Sequence, residues 1–327
     1  MHAELIVPGL LAGAAETRYP ALELFMARGR RRALVPQSLE QSLAAAFAQP
    51  EERLAAGALT AAAHGGEPGD AWWCRADPVH LRVLRDRVVV APAEAFELSR
   101  EEADGLVATL NHHFAGSVDF HAVEVRRWTA RLNKESAFAS EPALAAAGRD
   151  PAMDGGADAL LTEIQMLLHA HPLNEAREAR GEPAVNSLWL WGGGRTPREA
   201  SGPWRSVAAD DPSARGLARL AGMRADALPS SAGAWLDSLP DDGRHLAVID
   251  ALRAPGALAQ AVEHAAGRAA LERLWFAPLL AALREERVGM VTLRVPDAGL
   301  ALEAIRGDLR RFWRRPRPLA RYAEAGT

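Results

Sequence analysis

Apolar residues recur at two spacings along the chain, and the switch between them marks out its elements. Glu4–Val7 is a short apolar run ended by Pro8-Gly9 and predicts a first strand. Pro20–Arg28, Ser38–Ala48 and Glu51–Leu59 carry apolar residues at helical spacing. Val79–Val90 predicts a strand pair with a turn near Arg85-Asp86, and Val118–Arg131 alternates loosely, as strands do. Between them Ser99–Phe114 predicts a helix, its start marked by Ser99 answered by Glu102, the spacing of a capping box. Leu160–Leu168 predicts a further helix. It breaks at His171-Pro172, because proline lacks an N–H and restricts the residue before it. Glu175–Arg180 predicts a short charged helix with Gly181 at its end. Val185–Trp191 is nearly unbroken in apolar character, as in a strand buried on both faces. Gly192-Gly193-Gly194-Arg195 follows it directly. A helical segment closes at Gly222-Met223. His245–Leu252 and Gly289–Val295 predict two more buried strands, Gly256–Glu286 one or two helices, and Ala298–Arg311 a helix with a basic end.

Strands alternating with helices on both flanks predict an α/β fold with a mainly parallel sheet covered on both faces. The β-α-β run that opens at Ala71 has the size of a small inserted α+β subdomain. A glycine-rich connector, Ala61–Asp70, precedes it, and an Ala/Pro/Gly-rich return linker, Phe138–Gly156, follows it. The expected division is a core of residues 1–70 and 151–327 and an insert of residues 71–150. Apolar content of 49% and charged content of 24% are those of a soluble globular protein. A net charge of −4 gives no overall pull toward nucleic acid or anionic membrane. The single cysteine, Cys74, excludes an intrachain disulfide and fits a reducing cytosol; it reads as a small core residue before a nucleophile. No apolar run approaches the roughly 18–20 residues of a membrane span, and no basic leader precedes the first apolar run, so a cytoplasmic location is expected. Abundant Ala, Arg and Gly with scarce Lys point to a GC-rich genome.

A buried strand that ends in three glycines and an arginine is where an open α/β sheet places a ligand. The glycines admit close approach and their N–H groups can face an anion, so Gly192, Gly193, Gly194 and Arg195 are candidate ligand-binding residues. Other candidates read as structural. His169 and His171, two apart on a helix, point to opposite sides and cannot converge on one ion. His112-His113 and the basic cluster Arg28–Arg32 sit at helix ends, where cations complement the dipole. Asp250 is a single acid near a strand end, and Trp189 and Trp191 read as core packing. Between Arg306 and Arg321 seven arginines are interleaved with Phe312, Trp313 and prolines. Such a tail can contact phosphates and stack on bases. The chain is acidic overall and carries no DNA-reading motif, so a helix end with an irregular tail packed on the core is preferred, and no nucleic-acid partner is expected.

The same stretches resemble a known family. His171, Pro172, Asn174 and Arg177, then Ala184, Asn186, Gly192 and Gly194, then Gly216, Gly222 and Met223 follow the spaced motifs of the archaeal-type cofactor-independent phosphoglycerate mutases of the alkaline phosphatase superfamily. Cys74-Arg75, Glu102-Ala103 and Leu110-Asn111 resemble the inserted subdomain of that family, and Leu228–Gly233 resembles one of its turns. A shorter proteobacterial branch, labelled "regulatory protein, RpfE type", is similar over more of the pattern. The resemblance implies an alkaline-phosphatase-like core with a small inserted α+β subdomain. It also implies that Arg75 and Arg127 hold a phosphorylated substrate, and that catalysis uses a nucleophilic hydroxyl and two divalent metals. The sequence departs from the family at those metals. The first strand ends in Pro8-Gly9 in place of Asp-Gly, the loop after His245–Leu252 reads Arg253-Ala254-Pro255-Gly256 without its acid and histidine, and Arg294 stands where the family has a metal-binding strand end. The region of the nucleophilic serine has no match. A ring and two guanidinium groups cannot ligate metal. The expectation is therefore a catalytically degenerate relative with no cofactor. It would have a regulatory or ligand-sensing role and an anion pocket formed by Arg75, Arg127, Gly192, Gly193, Gly194 and Arg195. Its partner would be a phosphorylated small metabolite or a regulatory protein. The alternative is an active mutase or phosphatase with two Mn or Zn ions in a rearranged site, which predicts Asp and His side chains converging near Gly192–Gly194.

Overall fold

A computed structural model describes residues 1–14, 17–49, 54–83, 88–136, 141–147, 158–253 and 260–323. The turn at Arg85-Asp86, most of the linker over 138–156, the first residues of the expected Glu51–Leu59 helix and the loop Ala254-Pro255-Gly256 lie outside these residues. The chain begins with β1 (His2–Ile6), α1 (Pro20–Arg28), β2 (Arg30–Ala33), α2 (Leu39–Ala46) and α3 (Ala56–Ala63). Next come β3 (Trp72–Val83), β4 (Val88–Pro92), α4 (Arg100–His113), β5 (Val118–His121), β6 (Thr129–Leu132), α5 (Ala143–Ala146), α6 (Asp158–His169), α7 (Pro172–Ala179) and β7 (Ser187–Gly194). The remainder forms β8 (Ser206–Ala209), α8 (Pro212–Leu220), β9 (Arg224–Asp226), α9 (Ala232–Asp237), β10 (Arg244–Val248), α10 (Gln260–Leu271), α11 (Ala277–Arg284), β11 (Met290–Val295), β12 (Leu300–Ile305) and α12 (Ala320–Ala323). No helix among the described residues is long and apolar enough to cross a membrane.

Two compact units result: Met1–Glu52 with Glu199–Thr327, and Arg53–Arg198. The divisions fall near 52 and 198, not at 70 and 150, so the glycine-rich connector and the strand before Gly192–Gly194 belong to the second unit.

The first unit is built on a seven-stranded sheet in the order β2-β12-β11-β1-β10-β8-β9. It is parallel from β11 to β9, with β12 and β2 as an antiparallel edge. Leu5, Val7, Ala247, Ile249, Leu293 and Val295 share one core with Phe25, Trp235, Trp275 and Leu279 from the helices. The helix expected over Ala298–Arg311 does not form. Gly299, at φ +57°, turns the chain tightly after β11, and Leu302 and Ala304 enter the core from β12. Good helix formers are overridden here by pairing along an open sheet edge. Arg30–Arg32, expected as the basic end of α1, form the exposed edge strand β2 for the same reason.

The second unit is built on an antiparallel sheet organised by β3, which pairs with β4, β6 and β7. On one face Cys74, Ala76, Leu188 and Leu190 pack with Leu106 and Leu110 of α4 and Ile164 and Leu168 of α6. On the other face Val79, Val90, Trp189 and Trp191 pack with Ala56 of α3 and Ala143 and Ala146 of α5. The unbroken apolar character of Val185–Trp191 comes from cover on both faces. It does not come from a place in the parallel sheet, because β7 runs antiparallel to β3.

Arg177 ties the helices of this unit together. It is 1% exposed, and it donates to Pro183 O at 2.9 Å, Glu97 O at 2.6 Å and Glu102 Oε2 at 2.8 Å. Glu102 also closes the capping box of α4 with Ser99 and receives Arg180 Nη2 at 2.8 Å. Burial raises the Glu102 carboxyl, but the Ser99 backbone N–H and the Arg177 charge outweigh it and hold its pKa below the ordinary value. Replacing Arg177 by Met should cost about 3–5 kcal/mol in urea unfolding, because Glu102 and the carbonyls of Glu97 and Pro183 lose their buried cation. A loss below about 1 kcal/mol would refute that role. Since folding lowers the Glu102 pKa, its contribution is present above the unfolded value of about 4.3 and is lost as pH falls through the folded value. Glu102→Gln should therefore be less stable than the parent at neutral pH and converge on it in acid.

Candidate functional site

The carboxyl ends of parallel strands are where an open α/β sheet exposes chain ends and helix starts to a ligand. In the first unit β1 leaves the sheet through Val7, Pro8 and Gly9. Gly9 has φ +78°, and a Cβ there would lie 2.3 Å from Leu252 O, so only glycine fits this crossing. Its N–H donates to Asp297 Oδ1 at 2.9 Å. The loop that follows is pinned from within by Arg268, 2% exposed, which donates to Ala12 O at 2.8 Å and Gly13 O at 3.1 Å. β8 leaves through Asp210 and Asp211. Asp211 caps α8 by accepting from Ala214 N at 2.9 Å, and Asp210 accepts from Leu228 N at 3.2 Å.

Arg253 follows the end of β10. Its Nη2 lies 2.6 Å from Glu40 Oε1, and both side chains are largely buried, at 19% and 12% exposed. Burial works against the Arg253 charge, but Glu40, Asp211 and Asp250 more than offset it and lift the pKa above its ordinary value. Arg253 is thus paired with Glu40 and lies within electrostatic reach of two further carboxylates, Asp211 and Asp250. Arg294, near the end of β11, turns along the sheet face to Glu4, with Nε 2.8 Å from Oε1. Among the described residues, no three His, Cys, Asp or Glu side chains converge to hold a metal ion. The donor set does not fit the two divalent ions that the family resemblance implies, because the acids present serve as helix caps, turn acceptors and arginine partners.

The residues singled out as an anion pocket lie in the second unit. Arg75 is 5% exposed; its Nη2 and Nε donate to Asp77 Oδ1 at 2.5 and 3.1 Å, and its guanidinium lies over the Trp191 ring. Trp191 Nε1 donates to the other Asp77 oxygen at 2.7 Å. Arg127 donates to Glu124 Oε2 at 3.0 Å, and Glu124 Oε1 is 3.0 Å from His64 Nε2. Arg75 and Arg127 are brought into one neighbourhood, since Glu94 lies within electrostatic reach of both and of Asp77. Asp77 pairs with Arg75 and Glu124 with Arg127, so each guanidinium already has a carboxylate partner. Arg195 makes a separate pair with Glu135 Oε1 at 2.9 Å and also donates to Asp70 O. At Gly192 and Gly194 a Cβ would come 2.6 Å from Ala56 Cβ and 2.7 Å from Ala55 Cβ. These two glycines admit the start of α3 against β7, a packing demand. No acid or histidine cluster accompanies them among the described residues; Ala55, Ala56 and Trp73 pack beside this end of β7.

His171 is a structural corner. It caps α7 by accepting from Leu173 N, and its Nε2 is 2.8 Å from Thr109 Oγ1. Burial lowers its pKa, so both ring nitrogens serve neutral hydrogen bonds. His113 pairs with Glu163 at 3.2 Å. The sequence reading does not single out Ser206 and His245. Ser206 Oγ is 2.8 Å from His245 Nδ1, and His245 Nε2 is 2.9 Å from Asp242 O. A hydroxyl on a neutral imidazole is a nucleophile pattern. Both residues are buried, at 3% and 0% exposed, at the amino ends of their strands, which leaves no room for a substrate.

No protein-family model matches the chain, and no curated protein matches it. Among solved structures the chain is similar to the PH0037 protein of Pyrococcus horikoshii, at 15% identity over 93% of this chain and 87% of that one, with a TM-score of 0.56. It is also similar to the cofactor-independent phosphoglycerate mutase of Thermoplasma acidophilum, at 17% identity over 93% and 90%, with a TM-score of 0.43. The likeness to the PH0037 protein, at 15% identity, is one of fold alone.

Arg253→Ala should destabilise the protein by about 3–5 kcal/mol, since Glu40 is left without its partner beside two further acids. The loss should shrink as those acids are protonated; an equal loss at pH 7 and in acid would refute the ion-pair reading. Burial pushes the Cys74 thiol pKa far up, so the native protein should resist alkylation at mildly basic pH and react only when unfolded. Rapid labelling of native protein would show that Cys74 is accessible.

Proposed function

We propose that this chain is a catalytically degenerate relative of the cofactor-independent phosphoglycerate mutases and acts as a regulatory or ligand-sensing protein. Two features favour the lineage: the ordered motifs from His171 to Met223, and an α/β fold with a mainly parallel core sheet. The observation that carries degeneracy is the Arg253–Glu40 pair at the carboxyl end of that sheet, with Asp211 and Asp250 close by and Pro8 at the exit of β1. Two-metal phosphoryl transfer needs carboxylate and histidine oxygens and nitrogens free to clamp cations on the attacking and leaving oxygens. Here the same end of the sheet carries a fixed guanidinium that its carboxylates already neutralise. A protein of this kind acts by binding, and the partner is a phosphorylated small metabolite or a regulatory protein. Arg127, 27% exposed in its side chain, is the more accessible of the two inherited arginines for such a ligand.

The test is interconversion of 3- and 2-phosphoglycerate by purified protein with Mn, Mg and Zn each supplied, beside the metal content of the protein as isolated. The expected result is no turnover with any metal and metal far below one ion per chain. Turnover abolished by a chelator would overturn the proposal and establish the alternative, a metal-dependent mutase or phosphatase.

A further inference from the structure

Charge is segregated in this chain. It is acidic overall, at −4, yet the two segments Arg28–Arg32 and Arg306–Arg321 hold eleven arginines and one acid, Asp308. They are far apart in sequence and are held together in the first unit. Arg28 Nη1 donates to Leu309 O at 2.5 Å, Arg311 Nη1 to Arg28 O at 3.0 Å, and Arg314 Nη1 to Gly29 O at 3.4 Å. Asp308 is 3% exposed; its carboxylate is 2.8 Å from Arg311 and 3.5 Å from Arg30. Arg32, Arg310, Arg315 and Arg317 form no ion pair among the described residues.

The stretch between Leu309 and Leu319 is an arch pinned at both ends. Asp308 holds one end, and Leu319 and Tyr322 enter the core at the other. Between these anchors Phe312 and Trp313 are 76% and 66% exposed, with their rings edge to face at 5.3 Å. The sequence pattern places this tail against the core. The anchors do pack there, but the aromatic pair does not. Large apolar rings set in a basic field on an acidic protein mark an interaction surface.

We propose that this arch and the neighbouring β2 strand form a binding surface for single-stranded nucleic acid. Arginine suits the task because its planar fork meets a phosphate with two parallel hydrogen bonds. Exposed aromatic rings accept the faces of unpaired bases. A single strand fits better than a duplex. Duplex base faces are already stacked, and this surface offers no helix or free two-stranded ribbon for a major groove; β2 is four residues long and already paired with β12. A lipid surface fits less well, because two rings without an amphipathic helix give little apolar area for anchoring.

The experiment is fluorescence anisotropy of the full chain with labelled oligo-dT, oligo-U and a mixed-sequence duplex, each about twenty nucleotides long, beside co-sedimentation with phosphatidylcholine–phosphatidylserine vesicles. Both single strands should bind more tightly than the duplex, and a preference between them tells DNA from RNA. Phe312→Ala with Trp313→Ala should weaken single-strand binding by roughly tenfold or more at an unchanged salt slope. Arg310→Glu with Arg315→Glu should make the salt slope shallower by about 1–2. Arg32→Glu in β2 should weaken binding as well, because the surface spans both segments. All these positions are exposed, and an unchanged melting temperature confirms folding. No single-strand binding at low salt would overturn the proposal. So would duplex affinity equal to single-strand affinity with no effect of removing the rings, full binding by the Arg32→Glu variant, or binding to vesicles alone.

Discussion

Glu4 has no exposed surface and lies on β1, the middle strand of the first unit, so its charge has to be met by protein groups. Arg244 on β10 lies 2.6 Å away, Arg294 on β11 2.8 Å, and Trp204, from the segment before β8, donates at 3.0 Å. A single carboxylate therefore ties β1 to both neighbouring strands and to the segment that leads into β8. Leaving such a charge unpaired costs several kcal/mol, so the partners stand or fall together. This also decides the role of Arg294. A cation near the end of a parallel strand could meet a ligand, but here Glu4 engages it along the sheet face. The carboxyl end is left to Arg253 and its acids.

The parts of the fold that follow from local chemistry were legible in the sequence. Ser99 and Glu102 announce α4, and the structure closes both hydrogen bonds of the box. Pro172 announces the corner after α6, and His171 caps the next helix from it. The misreadings come from elements whose state depends on distant chain. Ala298–Arg311 is rich in helix formers, yet most of it serves as a strand paired between β11 and β2 and a short 3-10 turn. Arg30–Arg32 belongs to a strand only because β12 offers it an edge. Val185–Trp191 is apolar on both sides, as parallel strands are, but helices cover both faces of an antiparallel sheet just as well.

Site residues were legible to a different degree. That Pro8, Arg253 and Arg294 offer no metal-binding side chains can be read directly, because a residue type that cannot ligate needs no coordinates to exclude it. What replaces them cannot be read that way. Nothing in the spacing of Glu40, Asp211, Asp250 and Arg253 shows that Arg253 pairs with Glu40 within electrostatic reach of the other two acids. The glycines at 192 and 194 show a demand whose cause is not written in the sequence. Close approach was the right physical demand, but the approaching group is α3. For Arg75 the motif marks the position, while its partner Asp77, two residues along the same strand, settles its hydrogen bonds.

The second unit is one unbroken stretch of chain, whereas the first is assembled from two stretches that flank it. Inside the first unit these stretches are joined where they part: Ser201 N donates to Phe47 O at 3.2 Å, and Gln49 Nε2 donates to Glu199 O at 3.0 Å. During synthesis the order of assembly is then constrained. β1 emerges among the first residues but lacks both neighbours in its sheet until β10 and β11 are made. The intervening segment already has all the strands of its own sheet. Once that segment is compact, the flanking stretches close a short gap in place of a long flexible loop, which lowers the entropy lost on joining them. The inserted unit, once folded, thus shortens the loop that the first unit has to close.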